Sequence, residues 1–190
     1  MKEGWRSFFN LFSEIYDELF YAYTGGHSSI VNDLVRDALS DASLVLDLCS
    51  GTCSCGSKFN CFVVALDYSL NMLKTAKKKH MKLNFVLGDA FHLPFRDKSF
   101  DAIAMTFAIH GMFPNERKRC IQEIYRVLKD NGKIAIGDHA NPKDMIIHSH
   151  IKSFNYNYKE VIKDLETMRF KVRSKIIDNE EYVIITGRKL

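Results

Sequence analysis

The chain has 190 residues, of which 46% are hydrophobic and 26% are charged, with only 3 Pro and 10 Gly. This composition is typical of one globular domain and excludes a disordered, collagen-like or low-complexity protein. The net charge of +4 is too small to indicate nucleic-acid binding by itself. No apolar run approaches the roughly 18–20 residues of a membrane span and no secretory h-region opens the chain, so we expect a cytoplasmic protein.

Residues 1–40 carry a helical pattern. An apolar face recurs at three- and four-residue steps and predicts one helix, formed by Phe8, Leu11, Phe12, Ile15, Leu19 and Phe20. Thr24-Gly25-Gly26 ends this helix, and a second one begins near His27. The first helix is also rich in aromatic residues, namely Trp5, Phe8, Phe9, Phe12, Tyr16, Phe20, Tyr21 and Tyr23.

From residue 44 onward, short apolar runs alternate with helical patterns. Such runs are typical of parallel strands buried on both faces, and they lie at Leu44–Leu48, Phe62–Leu66, Phe85–Leu87, Ala102–Thr106 and Lys133–Ile136. Helices are predicted between them, one capped by Ser69 and another beginning at Asn115-Glu116. The alternation predicts an α/β fold with a doubly wound, mostly parallel sheet.

The C-terminal part has a different pattern. After one more helix, Phe170–Ile177 and Tyr182–Gly187 form two predicted strands separated by a short polar loop. A loop of this length indicates an antiparallel hairpin at the end of the sheet. We expect residues 41–190 to form the main domain and residues 1–40 to pack on it.

Three aspartates follow three successive strands. Asp47 ends the first strand, Asp67 ends the second 20 residues later, and Gly88-Asp89 follows the third. In open α/β sheets ligands bind at the carboxyl ends of the strands, where Asp67 is placed to accept ribose hydroxyls. Three carboxylates would repel a pyrophosphate, so they favour a nucleoside ligand that carries positive charge.

Four stretches together resemble one family. They are Val45–Thr52, Ala65–Leu73, Gly88–Asp101 and Glu123–Lys129. Their order and content are similar to those of class I S-adenosylmethionine (SAM) dependent methyltransferases, nearest to the ubiquinone and menaquinone biosynthesis enzymes. The resemblance implies a Rossmann-like methyltransferase fold, SAM as cofactor and methyl transfer to a small-molecule acceptor by in-line displacement.

The resemblance also implies the cofactor contacts. The loop after the first strand would hold the methionine part of SAM, Asp67 the ribose and Asp89 the adenine amine. Met72 would border the adenine ring, and Thr106 and Phe107 would close over the sulfonium. The implied cofactor-binding set is Asp47, Cys49, Ser50, Gly51, Thr52, Asp67, Tyr68, Met72, Gly88, Asp89, Ala90, Thr106 and Phe107.

The first loop departs from the family pattern. Cys49 and Cys53 stand where the family has glycines, and only Gly51 remains. Because a Cβ disfavours positive φ, the substitutions predict a reshaped loop or weaker SAM binding. The polar segment 54–60 predicts a single helical turn or none.

The cysteines carry two further predictions. Their spacing fits no metal site. A helix N-terminus beside Cys53 or Cys55 would lower the pKa of that thiol.

Two histidines follow the last two parallel strands. His110 and His139 are expected to face the pocket mouth, where either would remove a proton from the acceptor or orient it. The N-terminal helix is expected to form a lid, with Tyr16, Tyr23 and His110 contacting an apolar or planar acceptor. His148 and His150 are expected at the surface.

Two other functions share parts of this pattern. A non-catalytic SAM-binding protein is suggested by the two cysteines in the first loop. A nicotinamide-dependent oxidoreductase would share Asp67, but the chain lacks G-x-G-x-x-G and a separate substrate domain. Nucleic-acid methylation is disfavoured because neither a basic stripe nor an Asn/Asp-Pro-Pro-Tyr/Phe signature is present. No nucleic-acid partner is expected.

Overall fold

A computed structural model describes residues 3–140, 156–179 and 181–190, with only the backbone for residues 3–6. The side chain of Trp5, together with His148 and His150, lies outside the described residues. The helices are α1 (Glu3–Phe12), α2 (Tyr16–Tyr23), α3 (His27–Ala38), α4 (Leu70–Lys79), α5 (Pro114–Val127) and α6 (Tyr158–Thr167). The strands are β1 (Leu44–Leu48), β2 (Phe62–Asp67), β3 (Asn84–Leu87), β4 (Phe100–Thr106), β5 (Leu128–His139), β6 (Phe170–Ile177) and β7 (Tyr182–Lys189).

The seven strands form one sheet in the order β3-β2-β1-β4-β5-β7-β6. The first five are parallel, and β7 pairs antiparallel with both β5 and β6. This confirms the predicted mostly parallel sheet with a C-terminal hairpin. On one side of β1 the sheet continues with β2 and β3, and on the other side it continues with β4 and β5. A crevice therefore opens between the carboxyl ends of β1 and β4.

Alternate residues of the central strands pack against different helices. Leu46 and Ile103 join the core beneath α5 and α6, whereas Val45 and Ala102 face α3. The face of the sheet that α3 covers carries small residues such as Ala102, Ala104 and Ala135, so this helix approaches the sheet closely. A Cβ added at Gly137 would lie 2.4 Å from Val31 Cγ1, which is closer than van der Waals contact allows.

The N-terminal region differs from its prediction. Two helices replace the single one, because a turn at residues 13–15 separates α1 from α2. Leu11, Ile15 and Leu19 belong to the predicted apolar face, but they are 77%, 51% and 49% exposed. The turn directs α1 along α4 and α2 along α3, so the inward-facing side is set by these two neighbours.

Two local predictions are confirmed. Ser69 caps α4 by accepting a hydrogen bond from the Met72 N–H at 3.2 Å. After β1 the chain forms only one 3₁₀ turn, Gly56–Lys58, where a longer helix would usually follow a parallel strand. No helix among the described residues is long and apolar enough to cross a membrane.

Candidate active site

A cavity lies at the switch in strand order, at the carboxyl ends of β1, β2 and β4. It holds about 1100 Å³ of space, including open solvent at its mouth. Eleven of the residues predicted from sequence line it, namely Tyr16, Cys49, Ser50, Gly51, Thr52, Asp67, Tyr68, Met72, Thr106, Phe107 and His110. The fold therefore brings most of the predicted site residues around one space.

The loop after β1 has the backbone conformation that glycine usually supplies. Cys49, Gly51 and Cys53 have φ values of 58°, 53° and 65°. For a residue with a Cβ, this left-handed conformation costs roughly 1–2 kcal/mol. The two cysteines thus keep a glycine-like path with strain stored in the loop. A Cβ added at Gly51 would meet nothing within 4 Å, so this position opens onto free space.

Asp67 joins this loop to the end of β2. Its Oδ2 accepts a hydrogen bond from the Gly51 N–H at 2.9 Å, and its Oδ1 accepts one from the Ser69 N–H at 2.8 Å. Burial raises the pKa of Asp67, although these backbone donors oppose the rise. The result is a buried acceptor at the cavity wall, beside Tyr68 and Met72.

Asp47 lies beneath the loop and not in the cavity wall. Its Oδ2 accepts hydrogen bonds from the Gly56 N–H at 2.9 Å and from Cys53 Sγ at 3.4 Å. A Cβ at Gly56 would lie only 2.5 Å from that same oxygen, so glycine is required there. Burial raises the pKa of Asp47 to about 7. Asp47 therefore holds the loop from below.

The turn after β3 lies further from the cavity. The side chain of Asp89 is 54% exposed, and its Oδ1 accepts a hydrogen bond from the Phe91 N–H at 2.9 Å. Gly88 is packed closely, because an added Cβ would lie 2.8 Å from Leu66 Cδ1. Neither residue, nor the buried Ala90, is among the described residues that line the cavity.

Helices α1 and α2 form one wall of the cavity. Phe8, Phe9, Tyr16 and Phe20 line it, and the Phe20 ring contacts Phe107 edge-to-face with centroids 4.8 Å apart. Burial raises the pKa of Tyr16, so its hydroxyl stays protonated. The exposed Tyr23 lies outside this wall, with its ring 6.5 Å from that of His139.

Polar contacts fasten this wall to α4 and to the first loop. Ser69 Oγ lies 2.7 Å from Asn10 Oδ1, and Lys79 Nζ lies 2.7 Å from Asp17 Oδ2. Asp17 Oδ1 also accepts a hydrogen bond from the Thr52 hydroxyl. Helices α1 and α2 are therefore held both to α4 and to the loop after β1.

The two histidines differ in position. His110 lines the cavity and is only 9% exposed. Its Nδ1 lies 2.6 Å from Oδ1 of Asp138, which is wholly buried. His139 is buried beside Phe107 and Tyr182, with ring centroids 5.3 Å from each, and is not among the described lining residues.

Two polar atoms in the cavity wall have no hydrogen-bond partner among the described residues. They are Asn32 Oδ1 and Ser50 Oγ, both buried from solvent. Asn32 was missed in the sequence. The feature of the sequence that could have identified Asn32 is its place as a polar residue on the buried face of α3, beside Val31 and Val35. Buried acceptors in this state favour a ligand that carries N–H donors.

The cysteines are free thiols. No group of three or more candidate metal ligands occurs among the described residues. The prediction of a low thiol pKa at Cys53 or Cys55 is wrong, because burial raises the pKa of both thiols. Both side chains are enclosed beneath the loop, where a thiolate would lose its hydration.

Comparison with known proteins is consistent with this geometry. Residues 46–136 match a family described as a methyltransferase domain. A demethylmenaquinone methyltransferase of Renibacterium salmoninarum is 39% identical over 114 residues, which is 57% of this chain and 47% of that protein. An uncharacterized protein of Methanocaldococcus jannaschii is 34% identical over 97% of this chain and 70% of its own length.

Solved structures show the same fold. A SAM-dependent methyltransferase from Thermotoga maritima superposes with a TM-score of 0.74 and 17% identity, covering 96% of this chain and 98% of the other. The chain spans only about half the length of the curated demethylmenaquinone methyltransferases that it matches, from 39% to 47%.

Proposed function

We propose that this chain, because it belongs to the class I SAM-dependent methyltransferases, transfers a methyl group from SAM to a planar aromatic small molecule. The observation that carries this proposal is one cavity lined by two kinds of group. Backbone, hydroxyl and carboxylate groups line it together with aromatic rings and a histidine, and we assign the first kind to a donor end and the second to an acceptor end. SAM supplies an activated methyl group, so the chain's own work is binding, alignment and exclusion of water.

The polar end suits the donor. The oxygens of Asn32 and Ser50 would accept from the ammonium group of its methionine part, and Asp67 would accept from the ribose hydroxyls. The roles of Cys49, Gly51 and Thr52 follow from the same loop. Asp47 would act indirectly, by holding that loop in place. A buried carboxylate at this end also favours a sulfonium over a pyrophosphate.

The adenine end of the donor would lie towards β3. Met72 is buried in the cavity wall and would pack on the adenine ring. Gly88, Asp89 and Ala90 lie beyond it, and the half-exposed Asp89 carboxylate would accept from the adenine amine. Thr106 and Phe107, at the end of β4, would border the sulfonium.

The aromatic end suits the acceptor. Tyr16, Phe20 and Phe107 would stack against a planar ring, with α1 and α2 acting as the proposed lid over it. Tyr23 would lie at the rim of this space. His110 would take the proton of an acceptor hydroxyl, and His139 would support it from the neighbouring aromatic cluster. One reported relative is named a demethylmenaquinone methyltransferase, and a planar acceptor for this chain agrees with that name.

Ligand binding and turnover test this proposal separately. Calorimetric titration and thermal unfolding would compare SAM, S-adenosylhomocysteine and NAD. A ligand at about 100 times its Kd adds about 2.7 kcal/mol to stability. We expect this effect from the first two compounds only, and stabilisation by NAD alone would contradict the proposal. Mass spectrometry with a prenylated naphthalenediol would then detect the methylated product, whose absence despite SAM binding would favour a non-catalytic SAM-binding protein.

A further inference from the structure

We propose that Asp138 is a positioning residue that fixes His110 in the tautomer needed to accept a proton from the acceptor. This inference rests on the proposed methyl transfer. It concerns a residue that no sequence pattern singled out, at the end of β5 and one position before His139. Its observable consequence is the location of the proton on the His110 ring.

The geometry gives the Asp138 carboxylate little freedom. Its Oδ1 lies 2.6 Å from His110 Nδ1 and also accepts the His139 N–H at 2.7 Å. Its Oδ2 accepts the backbone N–H of His110 at 3.2 Å. The carboxylate therefore holds both the ring and the backbone of the 3₁₀ turn Ile109–Gly111. Because both oxygens are engaged, rotation of the carboxyl group would break all three contacts.

The carboxylate is also kept charged. Burial by itself raises the pKa of Asp138, but His110, His139 and the backbone donor outweigh it, so the pKa lies below its ordinary value. An ionised carboxylate only accepts hydrogen bonds, so His110 Nδ1 must carry the proton. Nε2 is then the ring nitrogen left to take a proton from a ligand, on a side chain that lines the cavity.

Two rings limit how the imidazole can turn. The His139 ring lies 5.3 Å from His110 at an interplanar angle of 84°, and the Tyr156 ring lies 6.3 Å away, also at 84°. With Nδ1 held by Asp138, these edge-to-face contacts restrict the orientation of the His110 ring. A buried carboxylate that orients an imidazole in this way raises catalytic efficiency through geometry and tautomer.

The proton transfer balances with methyl transfer. The bond between the acceptor oxygen and the methyl carbon forms as the bond between that carbon and sulfur breaks, and the electron pair goes to sulfur. The acceptor's proton goes to His110 Nε2, which gives an imidazolium paired with Asp138. The leaving thioether is neutral, so the positive charge moves from the sulfonium to the ring. This arrangement requires an acceptor with an ionisable O–H.

Nitrogen NMR tests the tautomer without any acceptor. In protein labelled with ¹⁵N-histidine, the His110 signals are assigned with the variant His110→Gln. We expect a protonated Nδ1 and a bare Nε2 in the wild type. A wild-type spectrum with the proton on Nε2 would overturn the proposal even if Asp138→Asn does not fold. In Asp138→Asn we expect this pattern to be lost or mixed.

A matched variant separates positioning from loss of stability. Asp164 is also a buried carboxylate, and its Oδ2 lies 2.6 Å from Arg117 Nε. Neither residue of this pair lines the cavity, so Asp164→Asn should leave the His110 tautomer unchanged. With the prenylated naphthalenediol, Asp138→Asn should lower kcat at least 100-fold while the Kd for SAM changes less than threefold. Wild-type kcat in Asp138→Asn would reject the inference. Failure of the wild type to bind SAM would instead reject the proposed function.

Discussion

The Gly51 N–H donates a hydrogen bond to Asp67 Oδ2 at 2.9 Å, which connects the loop after β1 to the end of β2. The two residues are 16 positions apart in the chain, and they follow and end strands that are neighbours in the sheet. This contact places the loop backbone and the carboxylate on the same wall of the cavity. The proposed ribose site and the proposed methionine site are thus parts of one hydrogen-bonded unit.

We predict that Asp67→Ala weakens SAM binding at least tenfold, which corresponds to about 1.4 kcal/mol. The variant loses the proposed ribose contacts and also releases the loop. Isothermal titration calorimetry measures the change. Asp37→Ala is the control, because Asp37 is an exposed residue of α3 that pairs with its neighbour Arg36. Equal SAM affinity in the wild type and Asp67→Ala would remove Asp67 from the site.

The left-handed backbone at Cys49 leads to a second prediction. Cys49→Gly should leave the free energy of unfolding within about 1 kcal/mol of the wild type, because relief of strain and the flexibility of unfolded glycine offset each other. Cys49→Val should destabilise by more than about 1 kcal/mol, since a β-branched residue fits this conformation poorly. Urea unfolding measures both variants.

Cys61→Val provides the control for Cys49→Val. Cys61 is half-buried and has an ordinary negative φ, so the same substitution should have little effect there. Similar losses at Cys49 and Cys61 would show that the left-handed conformation has no particular cost in this loop.

The raised pKa of Asp47 leads to a prediction about how the stability of the protein depends on pH. The pKa of Asp47 is raised from 3.8 to about 7 in the folded state, so the folded protein binds this proton more tightly than the unfolded chain does. The stabilising contribution is complete below the unfolded value and is lost as the pH rises through the folded value, by about 1.4 kcal/mol per pH unit.

Comparison with Asp47→Asn isolates this contribution. The amide can still accept the Gly56 N–H but does not titrate. Urea unfolding from pH 4 to pH 8 should therefore show that the wild type loses stability relative to Asp47→Asn as the pH rises. A difference between the two proteins that stays constant over this range would contradict the prediction.

Features that depend on local pattern were predictable from the sequence. The buried strands, the Ser69 cap and the terminal hairpin each follow from short-range apolar periodicity or turn chemistry. The break between α1 and α2 was not predictable in this way, because neither Gly nor Pro lies between Phe12 and Tyr16. Packing against α3 and α4 determines that turn, and such contacts are tertiary.

The candidate site shows the same division. Strand-end residues such as Asp67 were identified because parallel strands end at a common edge. Asn32 and Asp138 were missed because their partners are distant in the chain: Asn32 contacts Ser54, and Asp138 contacts His110, 28 residues away. A polar residue within an apolar stretch was their only signal.

Phe20 provides a prediction about the acceptor end alone. Phe20→Ala removes the edge-to-face contact with Phe107 and part of the aromatic wall. Such ring contacts are worth about 0.5–1.5 kcal/mol, so KM for the naphthalenediol should rise about threefold to tenfold while the Kd for SAM is unchanged. Steady-state kinetics and calorimetry measure the two constants. Leu19→Ala is the matched control, because Leu19 is the preceding residue of α2 but is 49% exposed and does not line the cavity. Equal changes in both variants would mean that α2 affects turnover only through its stability, and the aromatic wall would then have no part in acceptor binding.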